Sequence, residues 1–284
     1  MNTTYKWRET TRSLGRRQRA FTLIEVLVVI SVIATLLAIL MPALGVARSR
    51  AQELVCRSNL RQILIASASY ATEYNDFYVP AASDMWDNAG LQRWHGTRDN
   101  LDEPFDPLRG PLAGYVTDGQ IKECPAAVDF VAEQDWNTNF ERGCGGYGYN
   151  MTYIGSRLWE KSVDDLDAFK NAYWRTTHAT EISMPCETLM FGDAAMCADG
   201  RSLMEYSFAE PPFTVYSGQP ITSFYMSPSL HFRHRGHVNV GWADGHVWSR
   251  EMADFKGKNA YGVDSSASKL GWFEPVDNTP FDLQ

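Results

Sequence analysis

Two groups of residues in this chain have types and spacings suited to chemistry. The first is one carboxylate, Glu25, near the start of an uncharged apolar run over residues 26–47. A carboxylate within a bilayer-length apolar segment costs on the order of 2.5–3.5 kcal/mol at a helix centre and less near an interface. Its retention therefore points to a use or a partner. The second group is histidine-rich. Four of the six histidines, His231, His234, His237 and His246, fall close together, with Asp193 and Asp244 as companions of suitable type. Imidazole and carboxylate are zinc ligands. However, His231, His234 and His237 are three residues apart, a spacing that alternates faces in a strand, and the local pattern is that of a hairpin. The reading adopted is structural: His234 bonds the turn backbone, Asp244 sets the turn with Gly245, and neither a metal nor a cofactor is expected. A metal site and a pH-sensing histidine remain as alternatives.

The element that positions Glu25 is a helix. The 22 residues of the apolar run span about 33 Å at about 1.5 Å per residue, against a hydrocarbon core about 30 Å thick. Pro42 lies inside the run, where proline removes one backbone bond and kinks a helix; Gly45 is close by. Beyond Arg48, Leu60, Ile63, Leu64, Ser67, Ala71 and Tyr74 recur at helical spacing. One helix from about Thr22 to about Tyr74 is predicted, stopped by Asn75-Asp76 and Pro80. Its second half packs its stripe on a globular domain.

The element that positions the histidines is a hairpin. Asp244-Gly245 between two alternating apolar runs is a strong two-residue turn signal. This predicts Ala243 opposite His246, Trp242 opposite Val247, and Gly241 opposite Trp248, with Gly241 leaving room for that ring. Val240, Trp242 and Val247 then share the core face. Gly146–Asn150 leads into Met151–Ile154, a short aromatic strand pattern, and a buried strand ending in a turn is predicted over residues 187–193. Residues 81–145 read as loop-rich, with Trp86, Trp94 and Trp136 as core aromatics, and 160–172 as an acidic exposed helix or loop.

Composition is that of a globular chain with one membrane segment: 44% hydrophobic and 21% charged. Residues 1–20 carry six Lys or Arg and one Glu. Removing a segment of net +5 from a chain of −8 leaves −13. Such acidity argues against nucleic acid as a partner. Five cysteines (Cys56, Cys124, Cys144, Cys186, Cys197) allow two disulfides and one free thiol in an oxidising compartment, and none has zinc-knuckle spacing. No nucleophile elbow, phosphate loop or zinc-protease helix occurs, and no carboxylate pair stands out, so no enzymatic activity is expected.

Arg16-Arg17-Gln18-Arg19-Ala20 followed by Phe21-Thr22-Leu23-Ile24-Glu25 resembles the processing site of type IV prepilins and type II secretion pseudopilins. The resemblance implies cleavage by a prepilin peptidase between Ala20 and Phe21 and N-methylation of Phe21; the family's usual residue before the cut is Gly, and here it is Ala20. Pro42 matches a proline that pilins carry at this depth. Cys56-Arg57-Ser58-Asn59-Leu60-Arg61-Gln62 and Cys124-Pro125 resemble a pilin-like subgroup, which makes Cys124 the candidate disulfide partner of Cys56. His234, nine intervening residues and Asp244-Gly245 resemble the H-X9-DG signature of prepilin-type processing-associated proteins, and Leu270-Gly271-Trp272-Phe273 with Asp277-Asn278 and Phe281-Asp282 resembles the tail of that family.

These features together lead to an expected α+β, pilin-like fold. It comprises a leader (1–20), a transmembrane and assembly helix (21–47), its amphipathic continuation (48–76), and an ectodomain (77–284) with the hairpin at 234–248. The expected function is a structural pseudopilin or pilin-like subunit of a type II secretion or pilus-like system. Its partners would be prepilin peptidase, other pilin-like subunits through the N-terminal helix, and inner-membrane lipid. Its location would be the bacterial inner membrane, single-pass, with the leader cytoplasmic and the ectodomain extracytoplasmic. The alternative is an anchored module that binds a ligand such as a glycan.

Overall fold

The computed structural model describes residues 22–85, 90–127, 141–161, 165–197, 202–254, 258, 262 and 264–284. Ala20, Phe21, Trp86 and Trp136, all singled out above, lie outside the described residues. The chain divides into two compact units, Met1–Ala47 and Arg48–Gln284. Helix α1 (Leu23–Glu73) supplies the described part of the first unit and opens the second, and it is continuous through Pro42.

In the first unit the helix is apolar and exposed, long and apolar enough to cross a membrane. Its two hydroxyls bond back within the helix, Ser31 Oγ to the Val28 carbonyl at 2.8 Å and Thr35 Oγ1 to the Ser31 carbonyl at 2.9 Å. A polar side chain in hydrocarbon finds its partner on the backbone in this way.

In the second unit, α1 buries Cys56, Asn59, Leu60, Ile63, Leu64, Ala66, Ser67, Tyr70 and Ala71. That includes the predicted stripe except Tyr74, which is exposed. The helix ends where predicted. Asn75 and Asp76 adopt positive φ (53° and 62°), and the Asp76 amide donates to the Ala71 carbonyl at 2.8 Å. Asn and Asp tolerate this left-handed conformation better than other non-glycine residues.

Short ladders pair β1 (Gln92–Arg93) with β2 (Gly96–Thr97). The central sheet is antiparallel in the order β3 (Tyr147–Tyr149), β4 (Leu189–Asp193), β8 (His237–Trp242), β9 (Val247–Glu251). Between them, β5 (Val215–Tyr216) pairs with β6 (Gln219–Pro220), and β7 (Leu230–His231) pairs with β10 (Leu270–Gly271). The acidic stretch contains a short helix, α2 (Leu166–Ala172). The described architecture is therefore α+β, with a long N-terminal helix and antiparallel sheets, as expected of a pilin-like fold.

Strand β4 is buried along its whole length because both sheet faces are covered. The face bearing Tyr149, Phe191, Asp193 and Gly241 meets α1: Cys56 bonds Asp193, and Leu64 lies over Gly241. The opposite face bears Gly148, Gly192, Val240 and Trp242. It is covered by Phe208 and Leu230 and by Phe273, whose ring meets Trp242 edge-on at 6.1 Å. Trp94 is buried in this core as expected, 5.0 Å from the Phe191 ring, with its indole N–H on the Ser207 carbonyl. Of the tail residues singled out above, Trp272, Phe273 and Phe281 are buried. Asn278 bonds the Tyr153 hydroxyl and the Phe213 carbonyl at 2.9 and 2.8 Å.

The hairpin differs from expectation by one residue. Gly241 pairs with Val247, and Val240 with Trp248. The Gly245 amide donates to the Trp242 carbonyl at 2.9 Å, and the Trp242 amide to the His246 carbonyl at 3.0 Å. With Gly245 at φ 90°, the loop is Ala243-Asp244-Gly245, a turn followed by a glycine bulge. The tip is held from outside the hairpin, since the Ala243 and Asp244 amides donate to the Thr188 and Pro185 carbonyls. The shift moves Val247 to the α1 face, away from Val240 and Trp242, and leaves Trp248 61% exposed. Gly241 makes room for Leu64, not for Trp248.

Candidate functional site

At the helix start, Thr22 precedes the first helical residue and Glu25 is the third. The Glu25 Oε2 atom accepts from the Thr22 amide and from its hydroxyl, both at 2.8 Å. In return the Glu25 amide donates to Thr22 Oγ1 at 3.3 Å. This is a reciprocal capping box, Thr-x-x-Glu, which satisfies two of the amides a helix N-terminus leaves open. Glu25 therefore has a partner within its own chain, Thr22.

The histidines do not act together. His231 sits in β7, where burial and the neighbouring Arg233 push its pKa down to about 3. His237 Nε2 lies 3.3 Å from Glu251 at the sheet edge. His246 Nδ1 lies 2.6 Å from Asp244 Oδ1, and the same oxygen accepts from the His246 amide, so Asp244 does set its turn. His234 does not bond that turn with its side chain. Its backbone exchanges two 3.1 Å bonds with His237, and its ring turns inward.

There it meets a buried cluster that draws on four segments. Cys56 comes from α1, Cys124 from the loop before β3, Asp193 from the end of β4, and His234 from the loop before β8. Cys56 Sγ is 2.9 Å from Asp193 Oδ1, Cys124 Sγ is 3.5 Å from His234 Nε2, and His234 Nε2 is 3.4 Å from Asp193 Oδ2. These ligand atoms all lie within 4.8 Å of one another. Cys56 and Cys124 are thus brought together as the resemblance implied, but as free thiols shared with a carboxylate and an imidazole.

Surrounding groups hold the cluster. The Asn239 amide donates to Asp193 Oδ2 at 2.8 Å. Arg233 approaches Asp193 Oδ1 at 3.5 Å and bonds the Gly146 and Ala194 carbonyls. The Cys124 amide is held by the Gly145 carbonyl at 2.9 Å. The hydrogen bond from Cys56, aided by His234, outweighs burial and lowers the Cys124 thiol to about 5. Burial, the hydrogen bond to Cys124 and the Asp193 charge push the Cys56 thiol up. For His234, burial opposes the charged ring, but Asp193 and Cys124 prevail and raise it to about 9. The cluster brings two cysteine sulfurs, an imidazole and a carboxylate together beside a guanidinium, and sulfur, imidazole nitrogen and carboxylate oxygen, once deprotonated, are a donor set that suits a divalent metal.

Sequence reasoning missed a second buried polar group. Arg93 forks onto Glu141, with Nε at 2.9 Å and Nη2 at 2.8 Å from its oxygens, and Asp84 stands 3.9 Å away. These residues fall in the loop-rich stretch, where no periodicity marks them.

A family model described as the prokaryotic N-terminal methylation motif matches residues 15–41. No curated protein and no solved structure matches the chain. The matched segment covers the basic stretch, the Ala20-Phe21 junction, the capping box and most of the apolar helix. The chain therefore carries a prepilin-type N-terminal signal joined to a helix fit to be a single-pass membrane anchor.

Proposed function

We propose that this chain is a structural pseudopilin- or type IV pilin-like subunit, cut by a prepilin peptidase between Ala20 and Phe21 and N-methylated on Phe21. The observation that carries this reading is the methylation motif over residues 15–41 running directly into the exposed apolar helix. The leader stays in the cytoplasm of a bacterial cell, the helix lies in the inner membrane, and the domain beyond it is extracytoplasmic. The role is structural and not catalytic. Other pilin-like subunits pack against the apolar helix, and the Glu25 carboxylate pairs with the Phe21 amino terminus of a neighbouring subunit, which favours assembly in register. Mass spectrometry of the N-terminus from native membranes tests the first step. N-methylated Phe21 is the expected product, and an intact leader on the membrane-bound protein would remove the reading.

One observation favours a second reading, an anchored module that binds a glycan. An open cavity of about 540 Å³ is lined by Tyr70, Tyr74, Phe77, Tyr78 and Trp174, with Arg157, His178 and Glu181 among its polar groups. Aromatic faces with a few placed polar groups suit a sugar ring. Glycan-array binding that is lost in Trp174→Ala would support it; no retained glycan would dismiss it.

A further inference from the structure

The Cys56–Cys124–Asp193–His234 cluster has no part in anchoring or processing. Its four side chains are buried, and burying a carboxylate and an imidazole together is costly unless something binds them. Donors on one tetrahedral Zn2+, bound at about 2.0–2.3 Å, stand about 3.3–3.8 Å apart. The separations of 3.5 Å from Cys124 to His234 and 3.4 Å from His234 to Asp193 already fall in that range.

Two other uses fit the geometry less well. In a Cys-His-Asp triad the nucleophile and the carboxylate sit on opposite ring nitrogens. Here Cys124 and Asp193 both face Nε2, and the Cys124 sulfur is closed to solvent. A Cys56–Cys124 disulfide would use both sulfurs and leave unexplained why Asp193 and His234 converge on them. Convergence of all four groups on one point is what a metal ion requires.

Charge agrees. Two thiolates and one carboxylate exceed a divalent cation by one negative charge, and the Arg233 guanidinium beside Asp193 balances it. The supporting contacts also agree. Asp193 is oriented by the Asn239 amide, the outer-shell support that a ligating carboxylate needs, and the backbone that carries His234 is fixed by its paired bonds to His237.

We propose that Cys56, Cys124, Asp193 and His234 bind one Zn2+ ion in a closed structural site. The ion joins the extramembrane part of α1 to the end of β4 and to the loops that carry Cys124 and His234. Four protein ligands leave no open position, so the ion supports the fold and not a reaction. Sulfur and nitrogen donors favour zinc over magnesium or calcium.

The test uses the full-length protein in detergent, purified under reducing conditions, stripped of metal and titrated with Co2+. One equivalent should produce the intense visible bands of a tetrahedral site and a thiolate charge-transfer band, and Zn2+ should bleach both. Cys124→Ser and His234→Ala should lose the spectrum; His246→Ala, at the hairpin tip, should keep it. Where a buried variant does not fold, the wild-type titration decides alone. A weak octahedral cobalt spectrum or no stoichiometric uptake overturns the proposal. So does a Cys56–Cys124 disulfide in peptide mass spectra of the unreduced protein from native membranes.

Discussion

Gly241 of β8 lies directly beneath Leu64 of α1, so that a Cβ added to the glycine would stand 2.8 Å from Leu64 Cδ1. The Leu64 side chain of the helix fills the space that the missing Gly241 side chain leaves on the sheet. Gly241→Ala should destabilise the domain by about 1–3 kcal/mol, the range for overpacking a well-filled core. Leu64→Ala alone leaves a cavity costing about 2–5 kcal/mol. The double variant should cost less than the sum of the two, because the alanine methyl then occupies vacated space. Denaturant unfolding of the full-length protein in detergent measures all three. Additive losses would show that the two residues are not in contact.

Arg93 and Glu141 form a buried forked pair. Arg93→Met should cost about 3–5 kcal/mol, since it leaves the Glu141 carboxylate buried without its cation. Arg93→Met combined with Glu141→Leu should recover much of that loss, because the desolvated charge is gone. If the double variant proves as unstable as the single one, the pair contributes through packing alone.

Glu210 is buried, and burial raises its carboxyl above the ordinary 4.5 despite the Tyr206 hydroxyl bonded to it. The folded chain thus holds this proton more tightly than the unfolded chain does. The contribution to stability is complete below the unfolded value and declines as pH rises through the folded one. Glu210→Gln should therefore raise the melting temperature at pH 7 relative to wild type, with the difference shrinking towards pH 4. Parallel melting curves at both pH values check the sign; a glutamine variant less stable at pH 7 would reverse it.

Glu25 has two roles that substitutions can separate. In one chain it caps its own helix through Thr22; between chains we propose that it meets the Phe21 terminus. Thr22→Val should weaken the cap by about 1 kcal/mol and leave cross-linking between subunits through the apolar helix intact. Glu25→Ala should abolish that cross-linking while cleavage after Ala20 persists. Normal cross-linking of Glu25→Ala would show that its role ends with the cap.

The long helix and its limits were legible in the chain because their signals are local. An apolar run, a stripe at helical spacing and an Asn-Asp stop act within a few residues of one another, and Leu23–Glu73 follows closely. The hairpin was legible as an element but not in its register. Its tip is gripped by the Thr188 and Pro185 carbonyls, distant partners that lengthen the loop by one residue and turn Val247 over. The residues 81–145 showed no pattern from which the Arg93–Glu141 pair could be inferred.

By itself, then, the sequence determined the prepilin-type signal, through its resemblance to a known motif, and the membrane-length helix with its carboxylate and the hairpin of an α+β chain, through composition and short-range spacing. Only the tertiary structure decided which of the cysteines and histidines come together. Cys56, Cys124, Asp193 and His234 arrive from four segments, the bonded Cys56 and Asp193 alone being 137 positions apart. They converge where α1 packs on the sheet, the same face on which the Leu64 side chain occupies the space left by Gly241. No spacing rule along the chain reports an empty Cβ position filled from another element, and so the histidines looked like a group in the sequence while only His234 joined the site.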